Sequence, residues 1–429
     1  MITPAAPSAR LPWRRALAIG LGVWLVYLST AGGTLGTGDA VAVYEQAKSL
    51  IDRGALDVPP SQSLEAWRGS DGRWYAPFGI FQSIFDLPFI LAGRTMAAVA
   101  GGAIARGETL PKAAVAMAST IAAAAAVVFA FLVAWLHGGR ERGAALAAIA
   151  IAFATPLWTY SKFGFNAPLT AALLTGGIAA LAWSSRAARP RAAAFMGGCA
   201  FAAAALTRHE MFLAAGAAIG WTIWMKRRDD RPSDVAAFVT PIAGAAALWC
   251  ALNWIRFGHP LVSGHRPSFD FGGWMGYAAS PAGAVLLYAP IAIAALGWLP
   301  ALRRGDGLAW LVASVCAVLV AFYAALEDWL GTRSYGPRYL VPLLPLMAAP
   351  IGRWLDDGRG SASRTAVRLL LAVSVIVQLP AVAVDFTRAG IAAGQPPQAA
   401  REYSWRWSPQ AITTRAALAA IPENVAYVT

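Results

Sequence analysis

One acidic residue lies where a carboxylate could do chemistry at a membrane surface. Asp39 ends the motif Gly-Thr-Gly-Asp at 36–39, just beyond the first apolar segment, and a helix-like stretch follows from residue 40 to 53. An ionisable group at the end of a membrane span is costly and usually has a function. A carboxylate in this position could accept a proton from a hydroxyl nucleophile. Asp39 is therefore the first candidate for a functional residue.

Polar and aromatic residues collect in five segments that separate the apolar runs. Arginine and lysine can bind a phosphate and stabilise the negative charge of a leaving group, and aromatic rings suit a polyprenyl chain or a sugar face. Together the segments could enclose one cavity. They comprise 39–48 with 72–79, 160–168, 207–210, 253–260 and 327–340. The residues expected to line the cavity are Tyr44, Tyr75, Tyr160, Asn166, Glu210, Asn253 and Tyr335.

The composition indicates that these segments belong to an all-α polytopic membrane protein. Hydrophobic residues make up 58% of the chain and charged residues 13%, whereas about a quarter of a soluble domain is charged. The net charge of +13 comes from arginines that punctuate the apolar runs. This pattern is typical of basic loops that face anionic lipid, so no nucleic-acid partner is predicted. The three cysteines and the pair His259 and His265 lack metal-ligand spacing, and no metal site is predicted from them.

Eleven apolar segments are long enough to be membrane helices, which need about 20 residues or somewhat fewer when the span is short. The first begins after Arg14 and Arg15, and no convincing cleavage site follows it. We therefore interpret it as a retained signal anchor. The predicted spans are 13–32, 112–136, 143–158, 166–184, 193–207, 210–225, 235–254, 283–300, 308–325, 339–352 and 365–384.

The segment 78–103 is also apolar, but counting it as a span would invert the topology of everything that follows. Without it, the strongly basic connectors all share the side of the N-terminus, as the positive-inside rule requires of cytoplasmic loops. We therefore predict an interfacial or re-entrant helix within one long external loop, 33–111. The basic connectors contain Arg140, Arg142, Arg186, Arg189, Arg191, Lys226, Arg227, Arg228, Arg231, Arg303, Arg304, Arg353, Arg359 and Arg364.

This topology divides the chain into a transmembrane domain, 1–384, and a short external C-terminal tail, 385–429. The N-terminus is then cytoplasmic, and the C-terminus and the polar cavity lie on the external face. Aromatic residues in the tail suit the membrane interface. The alanine-rich, arginine-over-lysine composition fits a bacterium of high genomic GC content, so the predicted location is the bacterial cytoplasmic membrane, with the cavity facing the periplasm.

The polar segments resemble, in order, those of the lipid-carrier-dependent glycosyltransferases of the GT-C fold, the superfamily of protein O-mannosyltransferases and lipid A aminoarabinose transferases. The resemblance extends from about residue 15 to residue 350. Each motif is short and is weak evidence alone. Because the motifs occur in the family's order and on one predicted face, the whole set indicates the family more specifically than any single motif does. The motifs are Gly38-Asp39, Tyr44 to Gly54, Gly72-Arg73-Trp74-Tyr75, Gly79 to Ser83, Leu87-Pro88-Phe89, Tyr160-Ser161-Lys162, Leu206-Thr207-Arg208, Asn253 with Arg256-Phe257-Gly258, and Ser334 to Leu340.

The resemblance implies a bundle of about eleven helices and a concrete reaction. Such enzymes transfer a sugar, with inversion, from a polyprenyl-phosphate carrier to an acceptor hydroxyl at the external membrane face. By position, Asp39 is then the expected catalytic base. The acceptor could be a glycan, a lipid or a protein. The candidates for binding the carrier phosphate are Lys162, Arg208, Arg333 and Arg338.

Departures from the family pattern leave a second acid and a metal requirement open. Many relatives have two consecutive acids in the first loop, whereas Ala40 follows Asp39 here, and Asn166 occupies a position where relatives often carry an acid. Glu210, Glu327 or Asp328 could substitute. First-loop carboxylates could also bind a divalent cation together with the carrier phosphate.

Two alternative functions are consistent with the same topology. A lipid-linked-sugar transporter or flippase would need a polar path through the bilayer, and the predicted spans contain almost no ionisable residues. A catalytically inactive GT-C-like membrane partner would retain the fold without the chemistry, and the absence of a second acid in the expected place keeps this alternative open.

Overall fold

The computed structural model of the protein describes residues 11–60, 65–101, 107–138, 140–226, 232–262, 272–331, 334–356, 361–394 and 398–428. Most of these residues are helical. The α-helices are α1 Trp13–Ser29, α2 Gly38–Arg53, α3 Ile80–Ala100, α4 Thr109–Gly138, α5 Glu141–Phe153, α6 Leu157–Tyr160, α7 Asn166–Ser184, α8 Pro190–Thr207, α9 Met211–Lys226, α10 Pro232–Phe257, α11 Gly272–Ala279, α12 Val285–Tyr288, α13 Leu299–Arg303, α14 Gly307–Ala324, α15 Ala348–Asp356, α16 Ser361–Ala383, α17 Phe386–Ala393, α18 Gln398–Tyr403 and α19 Pro409–Val428.

The predicted all-α polytopic architecture is confirmed. Among the described residues, six helices are long and apolar enough to cross a membrane, and shorter apolar helices cover 211–225 and 290–303. Five of the six correspond to predicted spans, and the sixth is α3, which the sequence analysis assigned to the interface. The six are Ile80–Ala100, Thr109–Gly138, Asn166–Ser184, Pro232–Phe257, Gly307–Ala324 and Thr365–Ala383.

Besides the segment 143–158, which is divided between α5 and α6 at Pro156, two predicted spans are broken into shorter helical pieces. The segment 283–300 forms α12, a 3-10 helix Pro290–Trp298 and α13, and the segment 339–352 forms a 3-10 helix Arg338–Met347 followed by α15. Prolines explain both interruptions, because proline lacks a backbone N–H and disfavours the α conformation of the residue before it. The apolar runs therefore predicted helical segments at these positions, but they did not reveal that the helices are interrupted.

The bundle is organised around α4, which packs against α1, α3, α5 and α7. Small residues allow neighbouring helices to approach closely. At Gly198 on α8, an added Cβ would lie only 2.2 Å from the carbonyl oxygen of Phe238 on α10. The buried alanine-rich faces of α4, α5, α7 and α8 form one continuous core with the aromatic residues between them.

The first loop folds into a compact layer at one end of the bundle. Thr37 caps α2 by accepting a hydrogen bond from the Ala40 amide at 3.3 Å, and the helix ends at Gly54, whose φ of 62° suits glycine. A three-stranded antiparallel sheet follows, with strands β1 Asp57–Val58, β2 Trp67–Arg68 and β3 Trp74–Tyr75 in the order β1-β3-β2. The sequence analysis did not predict this small sheet.

Helix α3 contacts the ends of other helices at the same end of the bundle. Gln82 donates to the Gly164 carbonyl, just before α7, at 3.0 Å, and Arg94 pairs with Asp52 at the end of α2 at 2.6 Å. An added Cβ at Gly79 would lie 2.0 Å from the Leu206 carbonyl near the end of α8. Helix α3 also packs against α4, and its interfacial position stays a prediction.

Candidate active site

A cavity of about 430 Å³ lies between the first loop and the ends of several helices. Helix α7 begins in its wall, α8 ends there, and the C-terminal tail contributes one residue. The wall is unusually rich in charged side chains. The lining residues are Asp39, Glu65, Trp67, Pro77, Phe78, Gly79, Asn166, Thr207, Arg208, His209, Glu210, Leu326, Glu327, Asp328, Arg338, Tyr339 and Arg401.

Asp39 and Arg338 form an ion pair in the cavity wall. Arg338 Nη1 donates to Asp39 Oδ2 at 3.2 Å, and the side chains are 11% and 23% exposed, respectively. Asp39 is positioned by the first turn of α2 after its Thr37 cap. Arg338 begins the 3-10 helix that follows Gly336, whose φ is 67° and whose Cα faces the ring of Tyr288 too closely for a side chain. The partly exposed Asp39 carboxylate can therefore meet a ligand while the arginine holds its orientation.

Arg208 is held in the cavity wall by an acid and two aromatic rings. Its Nε and Nη2 donate to the same oxygen of Glu210 at 2.7 and 2.6 Å, and Tyr323 donates to that oxygen at 3.0 Å. The rings of Tyr323 and Tyr339 stack with centroids 5.0 Å apart, and the Arg208 guanidinium lies 5.5 and 5.1 Å from them. Because Glu210 is the counter-charge of the buried Arg208, Glu210 is poorly placed to act as a second base.

Other acids bring carboxylates to the same cavity. Glu327 and Asp328, which follow the end of α14, line it together with Glu65 from the first loop. The sequence analysis named Glu327 and Asp328 as alternatives for the second acid, and the structure brings both to the cavity. In the described part of the chain, no group of three or more histidine, cysteine or acidic side chains is arranged to hold a metal ion.

Arg401 is a cavity residue that the sequence analysis missed. It comes from α18 in the C-terminal tail and lines the cavity, and its buried Nε has no hydrogen-bond partner among the residues that the structure describes. An unsatisfied buried N–H is costly, so a ligand that accepts this hydrogen bond would be favoured. The tail was predicted only to leave the membrane, and its sequence carries no motif that would place an arginine in the same cavity as Asp39.

The structure does not bring Lys162 to the cavity. Its buried ammonium donates to the carbonyl oxygens of Val382, of Val384 at 3.1 Å and of Ala381 at 3.5 Å. These carbonyls end α16, where backbone oxygens lack helical partners. Lys162 therefore ties the turn before α7 to the end of α16. Arg333, the other cation predicted to bind phosphate, lies outside the described residues.

Two of the predicted lining residues, Asn166 and Glu210, do reach the cavity. The other five, Tyr44, Tyr75, Tyr160, Asn253 and Tyr335, do not line it. The Tyr160 hydroxyl donates to the Tyr335 carbonyl at 3.2 Å and accepts from the Tyr335 amide at 3.0 Å, which braces the turn before Arg338. The remaining contacts join Tyr44 to Glu108 and Tyr75 to Asp71.

Asn253 belongs to a buried brace that ties the first loop to α10. Its Oδ1 accepts from Arg256 at 3.2 Å. Arg256 in turn donates to the carbonyls of Ala76 at 3.0 Å and Phe78 at 3.2 Å. Because Phe78 lines the cavity, Asn253 and Arg256 position the cavity wall without contacting the cavity themselves.

No protein-family model and no curated protein sequence matches the chain. Solved structures of similar fold do. ArnT from Cupriavidus metallidurans bound to undecaprenyl phosphate is 15% identical with a TM-score of 0.55, and the match covers 95% of this chain and 69% of ArnT. The oligosaccharyltransferase of Archaeoglobus fulgidus in the apo form is 12% identical with a TM-score of 0.56, over 89% of this chain and 58% of that enzyme.

A further match is AglB, the archaeal oligosaccharyltransferase of Archaeoglobus fulgidus in complex with an inhibitory peptide and a dolichol-phosphate. It is 12% identical with a TM-score of 0.53, over 89% of this chain and 58% of AglB. ArnT and AglB are both GT-C membrane glycosyltransferases, and the shared architecture extends over nearly the whole chain despite the low identity. The protein is a polytopic membrane protein with the GT-C fold.

Proposed function

We propose that the protein is a membrane glycosyltransferase that moves a sugar from a polyprenyl-phosphate carrier to an acceptor hydroxyl. The observation that carries the proposal is the pairing of Asp39 with Arg338 in the wall of a cavity that also contains Arg208 and Arg401. One wall then offers both a carboxylate that can accept a proton and guanidinium groups that can bind a phosphate. We place this cavity at the periplasmic face of the bacterial cytoplasmic membrane.

The similar structures support a lipid carrier as the donor. ArnT was solved with undecaprenyl phosphate and AglB with a dolichol-phosphate, so two proteins of this fold bind polyprenyl-type phosphates. In this chain the phosphate would be bound by Arg208, Arg338 and Arg401. Arg208 and Arg338 already hold acids, whereas Arg401 keeps a buried N–H without an acceptor. We therefore assign the first contact with the carrier phosphate to Arg401.

The reaction proposed is a single displacement at the anomeric carbon. The acceptor oxygen bonds to this carbon as the bond to the carrier phosphate oxygen breaks, which inverts the configuration. Asp39 takes the proton of the acceptor hydroxyl. The polyprenyl phosphate leaves with the electron pair of the broken bond, and the arginines stabilise the charge that it gains. Whether the sugar is a hexose or a pentose depends on cavity contacts beyond these.

The proposal is tested by donor hydrolysis and sugar transfer with the purified protein in detergent. A panel of radiolabelled polyprenyl-phosphate sugars would be compared for the wild type, Asp39→Asn and Asp52→Asn. Asp52 is the matched control because it lies on the same helix and also pairs with an arginine, Arg94, but does not line the cavity.

We expect Asp39→Asn to lose transfer by about 10²–10⁴-fold, the usual contribution of a general base, while Asp52→Asn stays close to the wild type. An Asp39→Asn protein that transfers sugar at the wild-type rate would refute the assignment of the base. A wild-type protein that binds carrier tightly but turns over no donor would instead support the inactive membrane partner.

A further inference from the structure

A second cavity, of about 660 Å³, lies at the opposite end of the bundle. Helix α7 connects the two cavities, because its first residue, Asn166, lines the candidate active site and its last, Ser184, lines the second cavity. The helix has 19 residues and therefore spans about 28 Å at 1.5 Å per residue. This length is close to the ~30 Å thickness of a bilayer hydrocarbon core. The two cavities thus open toward opposite faces of the membrane.

Four arginines from four different connectors line this second cavity: Arg140, Arg186, Arg304 and Arg353. They precede α5, follow α7, follow α13 and lie in α15, respectively. Two aspartates, Asp306 and Asp356, also line it, so four positive charges face two negative ones. Four of the five basic connectors that indicated membrane orientation therefore contribute one arginine each to a single cavity. Orientation alone requires only that these connectors lie at the same face of the membrane.

Two of the four arginines already have partners. Arg186 donates to the Leu136 carbonyl at 3.0 Å, and Arg140 lies 3.5 Å from Asp356. The other aspartate is also engaged, because Asp306 caps α14 by accepting from the Ala309 amide at 2.9 Å. The acids therefore leave an excess of positive charge in the cavity wall.

Arg304 and Arg353 differ from the first two. Within the described residues, neither guanidinium makes a hydrogen bond or an ion pair. The His137 imidazole lines the same wall, is 2% exposed and lies 3.7 Å from Asp306. The guanidinium groups of Arg304 and Arg353 are therefore the ones open to a ligand.

We propose that this second cavity binds a phosphate group, carried either by an anionic lipid or by a small soluble phosphate compound. Guanidinium groups match phosphate oxygens in geometry and charge, and no acid in the described part of the chain pairs with Arg304 or Arg353. Basic pockets between membrane helices are suited to anionic headgroups. Apolar side chains in the same wall, including Leu136, Leu181 and Leu308, could accommodate the first methylene groups of an acyl chain. The site is independent of Asp39 and of the proposed transfer reaction.

The test compares two double variants of the full chain in detergent. Arg304→Gln with Arg353→Gln removes the two unpaired cations. Arg142→Gln with Arg303→Gln removes the same charge from exposed neighbours that do not line the cavity. Retention of added phosphatidylglycerol is measured by native mass spectrometry against phosphatidylcholine with the same acyl chains. In a parallel arm, the shift of melting temperature with inorganic phosphate is measured against chloride at equal ionic strength.

We expect the wild type and the Arg142/Arg303 variant to respond to one of the two phosphate probes. The Arg304/Arg353 variant should bind that probe about 10-fold or more weakly, because both guanidinium groups proposed to bind the phosphate by charge-assisted hydrogen bonds are removed. A response to phosphatidylglycerol alone identifies a lipid ligand, and a response to inorganic phosphate identifies a soluble one. Any carrier site in the first cavity is the same in both variants and cancels from the comparison.

Equal losses in the two double variants, or a wild type that prefers neither probe, would overturn the proposal. The single variant Arg304→Gln repeats the measurement with little risk to folding, because this exposed arginine lies in a turn and makes no contact whose loss would leave a buried group unpaired.

Discussion

The carboxylate of Asp39 and the guanidinium of Arg338 lie 3.2 Å apart although 299 positions separate them along the chain. The pair joins the first loop to the start of the 3-10 helix Arg338–Met347, and both residues line the cavity. A base that is oriented by an arginine, beside further arginines able to bind phosphate, suits transfer from a phosphate leaving group. The proposed function rests on this contact.

Replacing Arg338 should impair catalysis more than folding. Arg338→Gln removes the group that pairs with Asp39 and that we propose contacts the leaving phosphate. We therefore expect kcat/KM to fall by about 10²-fold, as when one oxyanion-stabilising donor is removed. Arg338→Lys should recover part of the activity because it restores the charge without the planar fork. Arg388→Gln, in an exposed arginine of α17, is the control. Wild-type kinetics in Arg338→Gln would exclude this role.

Removing the carboxylate of Glu210 should destabilise the protein instead of shifting its pH profile. Glu210→Gln leaves the buried Arg208 guanidinium without its counter-charge, and breaking one partner of such a pair typically costs about 3–5 kcal/mol. We expect a lower melting temperature that is partly recovered in the double variant with Arg208→Gln, measured as a double-mutant cycle. A stable Glu210→Gln protein with an altered pH dependence of kcat would indicate that Glu210 is itself an acid–base group.

Arg401 should contribute to donor binding from the C-terminal tail. Arg401→Gln removes a guanidinium whose buried Nε has no protein acceptor, so we expect KM for the polyprenyl-phosphate sugar to rise by about tenfold, the effect of one charge-assisted hydrogen bond. The melting temperature should change little. Arg406→Gln alters an exposed arginine of the same tail outside the cavity and should leave KM unchanged. Identical KM values for the two variants would remove Arg401 from the site.

Lys162 should influence stability in a pH-dependent manner. Burial lowers the pKa of its ammonium to about 8 from an ordinary 10.5. Between these values the unfolded chain binds more protons than the folded chain, so stability should rise with pH across this window. Comparing denaturation of the wild type with Lys162→Met at pH 7 to 10.5 isolates the contribution of this lysine. The same pH dependence in both proteins would contradict the lowered pKa.

Lys162→Met also separates a structural role from carrier binding. The change should lower the melting temperature, because the carbonyls at the end of α16 lose their donor, while KM for the carrier stays near the wild-type value. A large increase in KM at unchanged stability would return Lys162 to the phosphate site that its sequence motif first suggested.

The interfacial position of α3 can be tested by the depth of attached spin labels. Ile84 and Val99 are both exposed and lie about 22 Å apart along the helix axis at 1.5 Å per residue. With the native cysteines replaced, labels at Ile84→Cys and Val99→Cys should report similar, shallow depths in a bilayer. A difference of about 20 Å between the two depths would show that α3 crosses the membrane, and the predicted topology would then invert.

Local physical chemistry was sufficient to predict most of the helices. The apolar run 166–184 coincides with α7, because a helix that faces lipid or helix neighbours must be apolar over its length. The prediction was weaker where prolines recur, as in Arg338–Met347, since an apolar run does not reveal where its hydrogen bonds are interrupted. The two-residue strands of the first loop were also missed, because so short a strand has no detectable period.

The sequence by itself determined that this is an all-α polytopic membrane protein and that Asp39 lies just beyond its first apolar segment, because both follow from local composition. Only the tertiary structure decided which distant side chains meet. It joined Asp39 to Arg338, brought Arg401 from the tail to the same cavity and turned Lys162 toward the end of α16. Such partners depend on how helices far apart in the chain pack, and no local pattern of residues records that packing.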